Sequence, residues 1–227
     1  MKLAGTRSWK SSGTASRKLG GTQWRKFDNP TGITIRDRHS RRLKGTYLDR
    51  EEIESVFNAY DRKGIIFPAS KKLNHKNSDK YDDLIAVWTD YFNKKFEANP
   101  PLDPDVVKAL IASESGFRED PPENKIAFGI AQITPETFKA LQDPKGEVKD
   151  FIFNDIRKKD LKDPNINIPM AVRWLHRKKR LAEGKLGRSA TAEEIILEYK
   201  GLLKNSSSLK NKALENFRKS YGQLKSK

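Results

Sequence analysis

Glu114 is the residue whose setting could do the most chemistry. Before it, Asp103 is a good helix N-cap, Pro104 suits the first helical position, and Asp105 favours the positive end of a helix. Val106, Val107, Leu110 and Ile111 then fall on one face. Glu114 comes four residues after Leu110 and three after Ile111, so it points the way that apolar stripe points. Gly116 and Phe117 follow, where the helix should end. A carboxylate in this position is either a helix-end group tied into a salt bridge or a general acid. Apolar neighbours favour the second role, because desolvation disfavours the charged form of a carboxyl group. What comes next favours it too: residues 126–133 are an apolar run with Gly129 and a single amide, Gln132. Such a run beside a helix-end glutamate reads as a cleft wall. Thr134 and Pro135 then cap and start another helix.

The elements that must hold these residues are helical. Asp49 can cap a helix through Ile53, Val56, Phe57 and Tyr60. A second helix, near 80–97, carries Leu84, Ile85, Trp88, Tyr91 and Phe92 at three- and four-residue steps, a core stripe stopped by Asn99, Pro100 and Pro101. Further helices are expected near 164–181, 192–203 and 208–223, with Trp174 in the core. Strand signals are short, at 33–35, 64–67 and 152–153. The fold class is therefore mainly α: a helical domain over 46–227, preceded over 1–45 by a basic arm rich in Gly, Ser and Thr. That arm has twelve lysines and arginines against two aspartates up to Lys44, and no hydrophobic periodicity. It reads as extended or disordered, with Trp9 and Trp24 free to stack on a ligand or to tuck onto the main domain.

In four of its motifs the chain resembles the soluble, goose-lysozyme-like lytic transglycosylases. Glu114-Ser115-Gly116-Phe117 is similar to the family's Glu-Ser signature, and Gly129-Ile130-Ala131-Gln132 to its Gly-Leu-Met-Gln, with Gln132 eighteen residues after Glu114. Asp163-Pro164-Asn165-Ile166-Asn167-Ile168 resembles a third signature, and Tyr199 matches the tyrosine of a fourth. The resemblance covers residues 102–203 and implies a lysozyme-like fold. It implies cleavage of the bond between N-acetylmuramic acid and N-acetylglucosamine in peptidoglycan. Glu114 would act as acid and then as base, leaving 1,6-anhydro ends, with Gln132 and Tyr199 as supporting hydrogen-bond partners and Ser115, Phe117 and Gly129 around them. The chain departs from the pattern at Ala131 (usually Met), which should enlarge or reshape the cleft, and at Lys200 (usually Asn). It also departs at Glu123, where a serine is usual. Glu123 could be a second carboxylate, and the enzyme then a hydrolytic muramidase using water.

Composition sets the alternatives. With Lys+Arg 46 against Asp+Glu 30 the net charge is +16, and mean hydropathy is −0.81. Such a field attracts a polyanion: anionic wall polymers, or nucleic acid in a competing reading as a basic nucleic-acid-binding protein. A non-catalytic wall-binding module is a third reading, which retention of Glu114, Gln132 and Tyr199 argues against. The run Arg177-Lys178-Lys179-Arg180 reads as the solvated face of a helix, or as a wall-binding patch. There is no cysteine, and the three histidines form no ligand pair, so neither a metal nor another cofactor is expected. No segment is apolar enough to span a membrane, and no secretory signal follows Met1. The expectation is action in the periplasm or cell wall. Export would be by phage lysis or a secretion system, with a carrier or immunity protein as partner if the chain is an effector, or the chain would be excised from a longer one.

Overall fold

The computed structural model describes residues 17–19, 23–25, 47–70, 73–121 and 126–226. The chain divides into two units, Met1–Tyr47 and Leu48–Lys227. In the first, β1 (Arg17–Leu19) and β2 (Gln23–Arg25) pair antiparallel, with Lys18 opposite Trp24. The arm thus holds a hairpin where no strand was expected; Trp9 and residues 33–35 lie outside the described residues.

The second unit opens at Leu48, the last residue of the short strand β3 (Tyr47–Leu48). It continues through α1 (Arg50–Ala59), α2 (Asp82–Lys95), α3 (Pro104–Ser115), α4 (Pro135–Gln142), β4 (Ile152–Phe153) and a 3-10 turn (Lys158–Lys162), and closes with α5 (Pro164–Leu186), α6 (Ala192–Tyr199) and α7 (Ser207–Lys225). The mainly helical class holds. Side chains of Asp49, Asp103, Thr134, Asp163 and Thr191 cap α1, α3, α4, α5 and α6, each accepting from a backbone N–H within the first turn. Residues 64–67 form no strand, and Ile66 and Phe67 are exposed. Residues 152–153 do form one, and next to it Asn154 donates to the Leu48 carbonyl at 2.8 Å. Helix α5 runs five residues past its expected end, to a left-handed cap at Gly187. Helix α6 stops at Tyr199, four residues early, with Gly201 in the left-handed region just beyond.

The core forms around α3, where every residue from Pro104 to Ala112 is buried. This helix packs against α7 and α2, while α5 packs against α2 and α6. Two charged ties hold it. The fully buried Lys108 ammonium contacts Asp79 and Asp82 at 2.7 Å and donates to the Ala69 carbonyl at 2.9 Å. Asp105 accepts from the Ala69 amide at 2.7 Å and from Lys225 on α7 at 2.6 Å. Removing the Lys108 ammonium, which leaves the buried Asp82 carboxylate without its cation, costs about 3–5 kcal/mol, and the half-exposed Lys225 contributes less. These ties fix the helix whose far end carries Glu114.

Candidate active site

Glu114 sits on the last turn of α3, with 18% of its side chain exposed. The chain reverses directly after it. Gly116 and Phe117 both take left-handed backbone, φ 59° and 64°. For a bulky residue such as Phe117 this conformation costs about 1–2 kcal/mol. Its side chain repays that by burial, and it meets the His75 ring at 5.9 Å between centroids. Ser115 is also buried and turned back into the helix, donating to the Ile111 carbonyl at 3.3 Å. Both residues therefore shape the helix end rather than line open space.

The expected cleft wall at 126–133 is a tight turn closed by two backbone bonds, Phe128 to Ile133 at 2.9 Å and the reverse at 3.0 Å. Gly129 and Gln132 take positive φ, 69° and 51°. A Cβ on Gly129 would lie 2.0 Å from the Leu161 carbonyl and 2.4 Å from Asn167 Nδ2, so no side chain fits there. Asn167, fully buried on α5, holds the turn from below. Its Oδ1 accepts from the Ala131 amide at 2.9 Å, and its Nδ2 donates to the Phe128 and Leu161 carbonyls at 3.0 and 2.9 Å. The Gln132 amide donates to the Gly129 carbonyl at 2.8 Å, within its own turn. Ala131 is fully buried.

The end of α6 joins the two parts. The Tyr199 hydroxyl donates to the Ala131 carbonyl at 3.0 Å, and the Lys200 ammonium is ion-paired with Glu114 Oε1. Burial, and after it the Glu114 charge, raise the Tyr199 phenol above its ordinary range, so it remains a donor. Glu114, Lys200, Tyr199 and the 128–133 turn thus meet, while Glu123 lies outside the described residues. Sequence reasoning missed two functions. Lys200 appeared only as a departure from the family pattern, and Asn167 only as a letter in a motif; that motif was the signal for it.

Two features lie apart. A pocket of about 320 Å³ is lined by residues of α1, α2 and the start of α5, among them Arg50, Phe57, Trp88 and Ile166, and shares no residue with the Glu114 site. Of the basic run on α5, expected to be a solvated helix face or a wall-binding patch, Arg180 is exposed, Arg177 and Lys178 are partly exposed and Lys179 is buried. Arg177 pairs with Glu147, Lys179 with Glu183 and Arg180 with Asp150, while Lys178 lies 4.5 Å over the Trp174 ring. Among the described residues no group of His, Asp or Glu could hold a metal, and no helix is long and apolar enough to cross a membrane.

Residues 90–198 match the family model of the Transglycosylase SLT domain. The match takes in Glu114, Gln132 and Asn167 and stops just before Tyr199 and Lys200. No curated protein and no solved structure matches the chain.

Proposed function

For an enzyme of the lytic-transglycosylase or muramidase type, whose helical body carries a transglycosylase SLT domain that acts on peptidoglycan, we propose that Glu114 is the acid and that the bond cut is the β-1,4 link between N-acetylmuramic acid and N-acetylglucosamine. The observation that carries this reading is a partly exposed carboxylate at the end of a buried helix, facing the end of α6 beside the apolar 128–133 turn. In the first step the Glu114 proton goes to the glycosidic oxygen as the bond to C1 breaks. In the second, the Glu114 carboxylate takes the proton of the muramyl C6 hydroxyl while that oxygen bonds to C1. The product is a 1,6-anhydro end, and Glu114 regains its proton. One carboxylate suffices because the nucleophile belongs to the substrate; attack by water would call on a second carboxylate.

Ser115 and Phe117 support this site by fixing the helix end, and Gly129, Gln132 and Tyr199 by fixing the turn. The substrate lies outside the cytoplasm, so we place the site of action at the periplasm or cell wall, with the basic arm drawn to anionic wall polymers.

Mass spectrometry of fragments released from purified sacculi tests the reading. Anhydro ends are expected, and Glu114→Gln should lower their release by about 10²–10⁴-fold while the far-UV circular dichroism stays unchanged. Reducing ends would make the enzyme a hydrolase. No release by the wild type, or full release by the Gln variant, would overturn the assignment.

A further inference from the structure

We propose that Lys200 is a positioning residue that holds Oε1 of Glu114 through both steps of the reaction, so that a single oxygen, Oε2, gives and then takes the proton; this rests on Glu114 being the acid, as proposed above. The end of α6 that carries Lys200 is fixed by its backbone. The N–H groups of Lys200, Gly201 and Leu202 donate to the Ile196, Glu198 and Leu197 carbonyls at 2.9, 3.1 and 2.7 Å. From there the Lys200 ammonium reaches Oε1 of Glu114, and among the described residues the carboxylate has no other hydrogen-bond partner. Its two oxygens are therefore unlike: Oε1 is held and Oε2 is free. With side chains 22% and 18% exposed, the pair is partly sheltered and is screened less than one on the open surface. Consecutive residues divide the work, Tyr199 holding the 128–133 turn and Lys200 the acid.

An ammonium has three donors and no acceptor. A proton on Oε1 would set two donors face to face. A proton on Oε2 leaves the Lys200 contact intact, because a carboxyl group protonated on one oxygen still accepts through the other. The acid form of Glu114 thus keeps Lys200 as a donor and carries its proton on Oε2. When that proton passes to the glycosidic oxygen, the electron pair of the C1–O bond leaves with the oxygen. The second proton, from the muramyl C6 hydroxyl, comes to Oε2 as the C6 oxygen bonds to C1. Lys200 keeps its own protons throughout. Its part is to stop the carboxyl group turning about its last bond between the two steps. Without it either oxygen can carry the proton and the group turns freely, a loss of orientation that slows the reaction about 10–100-fold.

Steady-state cleavage of soluble peptidoglycan strands by the full chain and its Lys200→Met and Lys200→Cys variants is the test. Lys200→Met keeps an apolar stem and loses the ammonium; its kcat should fall about 10–100-fold with KM within about twofold of the wild type. Lys200→Cys should fall likewise. The chain has no cysteine of its own, so the new thiolate is the single thiol target for alkylation. 2-Bromoethylamine, which forms a carbon–sulfur bond as bromide leaves, rebuilds an ammonium at the length of lysine and should restore kcat. Bromoethane, which adds the same arm without the nitrogen, should not. Wild-type kcat in the Met variant would overturn the assignment, as would a loss carried by KM alone. So would restoration by both reagents, which would mark a packing role, or by neither. Those outcomes leave Glu114 standing as the acid. Full activity in Glu114→Gln, or no cleavage by the wild type, would overturn that reading and this one with it.

Discussion

The Tyr199 hydroxyl bonds the end of α6 to the turn beside Glu114, and it ends on a carbonyl of a fully buried residue. Taking that oxygen away leaves the Ala131 carbonyl without its donor, a loss of about 1–3 kcal/mol. Tyr199→Phe keeps the ring and its packing, so the expected result is a modest fall in thermal stability with a larger fall, roughly tenfold, in turnover. A variant with reduced stability and full turnover would show that the bond serves the fold alone. The carboxylate's position at the helix end was legible from Asp103 through Gly116, because caps and helical period act over a few residues. Its ion pair with Lys200 was not. The two are 86 positions apart, and no local pattern links residues that meet only through tertiary packing.

Among elements, the joint that matters is α5 against the 128–133 turn. Asn167 makes three hydrogen bonds there from a fully buried position. Asn167→Ala would take a partner from the Ala131 amide and the Leu161 carbonyl, while the Phe128 carbonyl would keep the Ile133 amide. The expected effect is a loss of roughly 2–4 kcal/mol by urea unfolding, together with at least tenfold lower activity. Activity unchanged in a folded Ala variant would sink the idea that this clamp shapes the site. Helix starts were read well from capping residues such as Asp49 and Thr134. Stops were read less well: α5 continues through Gly184, since a mid-helix glycine costs only about 1 kcal/mol against Ala, and Ala182 and Lys179 beside it are buried. The β1–β2 hairpin left no mark in the sequence because its residues are mostly polar, without the alternation that signals a half-buried strand.

At the scale of the molecule, stability is coupled to pH through His176. Burial, then the charges of Arg173, Lys179 and Arg180, hold its imidazole down to about 3, and it lies against the Phe92 and Phe96 rings. The unfolded chain takes up a proton on this residue near its ordinary value of 6.5, and the folded chain does not until far lower. The stabilisation is therefore complete above about pH 6.5 and is lost as pH falls toward 3, on the order of 4 kcal/mol across the window. Urea unfolding at pH 7.5 and 5 should show a clear drop, reduced in His176→Phe; an equal drop in both proteins would place the proton uptake elsewhere. Glu194, which the hydrogen bond from Arg188 holds down to about 2, loses its contribution as pH falls from about 4.5 toward 2, overlapping the acid end of that window.

The docking of α7 on α3 has a consequence in time. Lys225 joins Asp105 across 120 positions of sequence, and Leu214, Phe217 and Leu224 of the same helix are buried. A chain made from its N-terminus leaves the ribosome with α3 finished and its cover still unsynthesised. Glu114, at the end of α3, can settle only once α7 has emerged and docked. The helix that carries Glu114 therefore waits, with its apolar face uncovered, for a segment made about a hundred residues later.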